Sequence, residues 1–459
     1  MMRHFKKCIV GISSIVLFLY SWALAGVTPE EAARLKADLT PMGAERAGNT
    51  NGTIPQWEGG LTQMPQGVSH KAGDFYPDPF ARDPVLLSIT AKNMGAYADK
   101  LSSGQKGLLK KYPETYRIDV YQTRRTAAAP QWVYDHVYKN ATRSSLNDNR
   151  LGVVNAYCAI PFPIPKRGEE VIFNHIMRYR GASRSFEYLS GIVLPNGTFS
   201  IGGGGYAKEN YPIAYKGGSP DNFDNPILKL LIEYNSPERR KGELLLALDY
   251  LDSYRTPRKA WQYLPGQRRV RRAPTIAYDN PDSDTGGLET YDGAYMFNGA
   301  IDRYDWKIIG KKEMYIPYNC YRFHNAKRSE VLTAAHHNPD VMRWELHRVW
   351  VLEANLQEGK RHAYAKRVFY IDEDTWIAIL SDNYDGRGNL WRTNLQTTWN
   401  IYNIPAVVDV TLFHYDFQKE TYAVDAILND MEHFIVYDPA KGFDEKLFTP
   451  ENLRKLGRR

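Results

Sequence analysis

Beyond its first 25 residues the chain holds no long apolar run, only two cysteines and no strong charge of either sign. Each lack closes off a class of protein. A membrane-spanning helix needs roughly 18–20 apolar residues in succession, and no stretch after residue 25 supplies them. The formal charge is +7, from 59 basic and 52 acidic residues; three of the positive charges fall within the first 25 residues with no acid beside them, which leaves +4. So mild a surplus does not argue for nucleic acid as a partner. Disorder is excluded as a global description, because 43% of the residues are hydrophobic and only 24% charged, a mixture able to bury a core.

Motifs that carry chemistry are also missing, each by a residue or two. Ser103-x-x-Lys106 and Ser381-Asp382-Asn383 imitate two marks of penicillin-recognising enzymes, but no Lys-Thr-Gly follows. Asn280, Asp282 and Asp284 alternate as in a calcium loop, yet Thr285 stands where the glycine belongs and Tyr291 where the glutamate belongs. A polar loop is the better reading. His336, His337 and His347 with Glu345 lack the His-Glu-x-x-His spacing of a zinc helix. The glycines of "IGGGGY" are not followed by the Lys-Ser/Thr of a phosphate loop, which leaves them to a bulge or to close strand packing. With no converging carboxylates and no activated nucleophile to pick out, no catalytic residue, metal ligand or cofactor is expected.

What is present begins with the N-terminus. Arg3, Lys6 and Lys7 precede an apolar run over residues 9–22 and the small-x-small site Ala23-Leu24-Ala25, the three parts of a secretory signal peptide cleaved after Ala25. The run is too short for a membrane anchor, and no cysteine follows the cleavage site to carry a lipid. The mature protein is therefore expected to be soluble and exported. Export leaves Cys158 and Cys320 in an oxidising compartment, which predicts one disulfide between them, with two buried free thiols as the alternative. Tyrosine is frequent, 32 residues, and its apolar ring with a polar tip suits half-wet surfaces.

Local signals divide residues 26–185, rich in helix and extended segments, from residues 186–459, where the apolar period becomes two; the two are expected to form one contiguous unit. Thr28, Pro29 and Glu31 predict a capped helix to about Leu39. Asp83 and Pro84 predict another, broken near Ser102 to Gly104, and "APQWVYDHVYKNATRSS" and "GEEVIFNHIMRYRG" two more. From Phe186 on, turn signals at Asn196-Gly197, Ser236-Pro237, Glu358-Gly359 and Asp372 to Thr375 separate apolar runs. Successive hairpins of this kind make a curved antiparallel sheet with helices gathered on one side, an α+β, mainly β fold.

One hairpin stands out, "KAWQYLPGQRRVRRAP". If Pro265-Gly266 closes it, Tyr263 opposes Arg268 and Trp261 opposes Val270, and these four share a face. Gln262, Leu264, Arg269 and Arg271 share the other. The aromatic face either lines an apolar cavity, with Arg268 meeting an acidic headgroup, or forms ordinary core beneath the helices.

These residues also carry a resemblance. "AWQYLPGQRRVRRAP" and "FYIDEDTWIAILSDNYDGRGNL" are similar to the strand pattern of bacterial lipoprotein-carrier proteins. With "LTPMGAERAGNTNGTIPQWEGG", "PFPIPKRGEEVIFNHIMRYRG" and "FNGAIDRYDWKIIGKKEMYIPYN", they make nearly the whole mature chain resemble an exported Gram-negative family, domain of unknown function 1329. Members of that family are commonly described as outer-membrane lipoprotein-sorting proteins and are associated with RND-type exporters. The resemblance implies an incomplete barrel that cups apolar chains, and a periplasmic carrier or transport accessory, free or peripheral to the outer membrane, for a lipid or other hydrophobic compound. It further implies an inner-membrane RND exporter and an outer-membrane protein as partners. It implies no catalytic residues. A periplasmic enzyme acting on an envelope glycan or lipid is the competing reading.

Overall fold

Apolar and polar residues alternate along most of the chain from Ser183 on, and this half of the sequence is laid out as one antiparallel sheet. The computed structural model describes residues 26–458; the expected signal peptide and its cleavage site lie outside the described residues. Thirteen strands make the body of the sheet: β1 Ser183–Val193, β2 Phe199–Asn210, β3 Pro226–Ser236, β4 Leu244–Tyr250, β5 Lys259–Leu264, β6 Arg269–Arg272, β7 Tyr304–Pro317, β8 Trp344–Leu356, β9 Lys366–Asp372, β10 Ala378–Tyr384, β11 Leu390–Gln396, β12 Leu412–Asp416 and β13 Tyr422–Ile427. Their spatial order is β7 to β13 followed by β1 to β6, so nearly every neighbour in space is a neighbour in sequence. The exception is the seam where β13 pairs β1, through Tyr422 with Val193 and Val424 with Gly191. The curved sheet does not close on itself.

Register places whole rows of side chains on one face. Val351, Tyr370, Leu380, Leu395, Phe413 and Val424 are directly opposed across six strands, and all are buried. Each is worth roughly 1.5–3 kcal/mol when withdrawn from water. They form the outer core with Leu108 and Leu109 of helix α2, Ser103–Lys111. The other face, toward the sheet interior, is covered by α3, Gln131–Arg143, and α4, Gly168–Met177. The fold is thus the mainly β class with a curved, unclosed sheet that the sequence predicts, with helices on both faces of that sheet.

The first helix, Pro29–Ala33, starts as its capping residues require. Thr28 Oγ1 accepts the Glu31 amide at 3.2 Å and the Glu31 carboxylate accepts the Thr28 amide at 3.0 Å. It tightens to a 3-10 turn and ends at Lys36, short of Leu39. The helix expected at Asp83 is absent: Leu87–Ile89 is a strand paired with Ile118–Val120. Asp83 is spent on Arg124 and Arg343, both at 2.8 Å, so it cannot cap. Ser102, at the expected break, caps α2 instead, with Gln105 completing the box.

Candidate functional site

Strands β1 to β5 turn a mostly apolar row toward the interior. Phe186, Ala207, Ile232, Leu245 and Gln262 oppose one another in sequence across the five strands. Facing them is the segment 273–303, which has neither helix nor strand. Between row and segment lies a cavity of about 250 Å³, lined also by Tyr188, Leu230, Tyr234, Ala247, Ile276 and Tyr295. The segment approaches so closely because "IGGGGY" has no side chains there. A Cβ on Gly202 would stand 2.2 Å from the Asp284 carbonyl oxygen, and one on Gly203 2.5 Å from its carboxylate. Close strand packing is thus what these glycines provide.

A second cavity, about 290 Å³, lies beyond, between Phe173 and Ile176 of α4, Ile227, Leu251, Ala260 and Ala277. Asp249, Arg258 and Asn298 line both chambers. Arg258 grips both oxygens of Asp249, and its Nη2 donates to the Asn298 carbonyl at 2.8 Å. Asn298 Nδ2 in turn donates to Asp249 at 2.9 Å. This polar partition bolts the irregular segment to the ends of β4 and β5.

Charges around the first cavity are unevenly matched. Arg240 pairs with Asp284, donates to Glu243 at 3.1 Å and lies 3.8 Å over the Tyr234 ring. Glu209 pairs with Arg184 and accepts from Tyr211 and Tyr295. Arg184 also reaches Asp409, which Arg178 and Arg180 surround, and these guanidinium groups hold the Asp409 carboxyl well below the usual carboxylate range. Among the described residues the Asp282 carboxylate accepts only the Asp284 amide, at 2.8 Å, and Asp425 accepts the Ser190 hydroxyl at 2.6 Å. Burial pushes Asp425 up to about 6 and Asp282 well above the ordinary range.

The hairpin of the sequence argument is present with a different turn. Pro265–Gln267 form a 3-10 turn and Arg268 takes a left-handed conformation at φ 49°, so four residues make the loop. Tyr263 opposes Val270 and Trp261 opposes Arg272, two positions from the expected register. A shift of two keeps every side chain on its face: Trp261, Tyr263 and Val270 remain together. Their face, however, is the outer one. They pack with Leu231, Leu244, Leu246, Phe448 and Leu453 beneath the C-terminal helix Pro450–Leu456. A Cβ on Gly457 would meet the Tyr263 ring at 2.3 Å. Arg268 is exposed in the turn, and Arg272 instead lies 5.3 Å over the Trp261 ring. The residue of β5 that lines the first cavity is Gln262. A signal for this was readable: Leu447, Phe448, Leu453 and Leu456 around the Thr449-Pro450 start spell a helix with an apolar side that needs a sheet to cover.

The expected disulfide is corrected. Cys158 and Cys320 are free and fully buried in separate cores. Asn140 of α3 holds the carbonyls of Tyr157, Cys158 and Ile160, each at 3.1 Å, and fixes Cys158 there. Cys320 faces the Arg343 carbonyl, and burial pushes its thiol up to about 12. The imitation of a penicillin-binding site also dissolves. Asp382 meets the start of α2, accepting the Gly104 amide at 3.0 Å, while Ser381 and Asn383 point to the opposite face of β10.

Of the histidines, His336 and His337 bond Thr115 and Tyr415, away from His347. His347 comes together with Asp372 and Asp374, offering atoms within 4.8 Å of one another. Asp374 and His347 Nε2 are already engaged by charge partners, whereas Asp372 Oδ1 accepts no hydrogen bond among the described residues and lies 3.8 Å from His347 Nδ1. Arg125 donates to both oxygens of Asp374, at 2.6 and 2.9 Å, and Glu345 stands 3.2 Å from His347 Nε2 while pairing with Arg343 at 2.6 Å. The "YIDEDTW" stretch thus builds an ion-pair lattice tying residues 124–125 to the sheet.

A family model described as "Protein of unknown function (DUF1329)" matches residues 88–454. An uncharacterized protein of Pseudomonas aeruginosa is 42% identical over 453 residues, which cover 97% of each chain. A protein domain of Vibrio parahaemolyticus named for outer membrane lipoprotein sorting aligns at 16% identity and a TM-score of 0.42, over 62% of this chain and 97% of that one. A LolA superfamily protein of Nitrosomonas europaea aligns at 11% identity and a TM-score of 0.37, over 63% and 100%.

Proposed function

The chain belongs to the DUF1329 family, and from the interior it encloses we propose that it is a carrier of a lipid or other hydrophobic compound. The observation that supports this is the cavity of about 250 Å³ between an apolar row of five strands and an irregular segment. Ligand pockets combine such an apolar wall with a few placed polar groups. A sheet that packed on its own core would leave no such space. Each chamber alone falls below the roughly 300–1,000 Å³ of ordinary ligand pockets, so a long chain occupies both, and the Asp249–Arg258–Asn298 partition opens to admit it. We further propose that this activity is periplasmic, a reading supported by the signal-peptide pattern of the first 25 residues, with an RND-type exporter and an outer-membrane protein as partners. No helix among the described residues is long and apolar enough to cross a membrane, which is compatible with a mobile carrier.

The test uses the neutral fluorophore 1-N-phenylnaphthylamine together with native mass spectrometry of the purified protein. The wild type is expected to bind the fluorophore and to carry an extractable apolar compound. Ile232→Trp or Leu245→Trp, which fill the first cavity, should lower fluorophore affinity at least tenfold. A wild type that neither binds the fluorophore nor retains a compound overturns the carrier.

A further inference from the structure

Two carboxylates at one end of the first cavity form no ion pair among the described residues. Asp282 and Asp425 line it and are half-buried. The lining cations are both committed: Arg240 to Asp284 and Glu243, Arg258 to Asp249. Behind the pair stands Glu289, only 2% exposed, close enough for their charges to act on one another. Neither oxygen of Glu289 accepts a hydrogen bond among the described residues; its nearest basic atom is His414 Nε2, 3.4 Å away. The His414 ring is itself held neutral by burial and by Arg392.

Carboxylates that line a cavity without a partner charge either keep their protons or are balanced by a positive charge that joins them. The rest of the cavity supplies an apolar wall, and Tyr188 lines it near enough for Asp425 and Asp282 to act on its hydroxyl, which adds an aromatic ring of the kind that favours a cation. We propose that the ligand of this cavity is an amphiphile ending in a protonated amine, its ammonium group seated between Asp282 and Asp425 and its apolar part laid along Ile232, Leu245 and Ala207. The assignment rests on the carrier reading and adds the chemistry of the head. It excludes the acidic headgroup for which Arg268 was the sequence candidate, since that side chain is exposed in the β5–β6 turn.

The experiment compares three ligands with the same chain, dodecylammonium, dodecanol and dodecanoate, below their micelle concentrations, by displacement of 1-N-phenylnaphthylamine from the full chain. Dodecylammonium should bind at least tenfold tighter than dodecanol, and dodecanoate more weakly than either. The double variant Asp282→Asn with Asp425→Asn should retain dodecanol binding, which reports an intact cavity, and lose the preference for the amine. Equal or tighter binding of dodecanoate, or a preference that survives in the double variant, overturns the proposal and leaves the carrier standing. Failure of all three ligands to displace the fluorophore overturns this proposal, and the carrier reading falls with it only if the protein neither binds the fluorophore itself nor retains an extractable compound. Calcium chloride alone supplies the last arm: a rise in Tm at millimolar calcium that also cancels the amine preference would make the acids a metal site and overturn the proposal.

Discussion

Asp425 bonds a serine hydroxyl and faces other acids, and this makes it a measurable reporter of the cavity. Its carboxyl is pushed up to about 6 by burial, above the value near 4 of an unfolded chain, so the folded state holds the proton more tightly. Stability from this group is therefore fully present below about pH 4 and is lost as pH rises through 6. Asp425→Asn should raise Tm at pH 8 and leave it unchanged at pH 4, with a gain of about 1–2 kcal/mol after allowing for its partial exposure; an equal shift at both values would show that its charge is not the cause. Trp261 makes the contrasting case. It is half-buried under the C-terminal helix, on the face away from the first cavity, and Trp261→Ala should cost about 2 kcal/mol in urea unfolding, below the 3–5 kcal/mol of a fully buried ring. Fluorophore binding should stay within twofold of wild type; a tenfold loss would put Trp261 at the ligand. The two thiols, each in its own core, should both react with iodoacetamide once the unreduced protein is denatured.

At the scale of elements, the irregular segment 273–303 is the part expected to move. It carries no ladder of its own beyond a single bridge between Pro281 and Thr290; turn bonds such as Asp292 N to the Tyr278 carbonyl, and Phe297 and Ile301 in the core, hold the rest, so opening is expected at the partition and not along the whole segment. Its side-chain bond to the sheet at the partition is Asn298 Nδ2 to Asp249. Asn298→Ala should lower Tm slightly, by about 1 kcal/mol of lost hydrogen bonding, and speed fluorophore entry several-fold in stopped-flow mixing. An unchanged entry rate would show that the partition does not gate access. The hairpin β5–β6 teaches a different lesson. "PG" announces a turn, but whether two or four residues form it depends on Arg268 adopting a left-handed backbone, for which its sequence carries no mark such as glycine or asparagine. Two and four differ by an even number, so the division of the hairpin into two faces was legible even though the pairing was not.

For the whole molecule, the seam between β13 and β1 matters most, because it joins the chain's last long strand to its first in the sheet. With N-terminal segments packed on both faces, the chain should unfold as one unit: urea transitions followed by tryptophan fluorescence and by far-UV circular dichroism should coincide, and two separated transitions would argue for independent halves. Much of the architecture was open to reading in advance. Period-two runs with turn residues between them identify the meander, Thr28 and Glu31 a helix start, and near misses at four motifs argue against four chemistries, because each of these signals acts between residues close in sequence. What the sequence alone could not decide is which face of the sheet encloses space. Trp261 and Gln262 are neighbours in the chain and point to opposite faces, and only the C-terminal helix seated on one, with the segment 273–303 stopped above the other, makes one a core and the other a cavity. Contacts between residues some two hundred positions apart depend on how rows from many strands align, and no local pattern records that alignment.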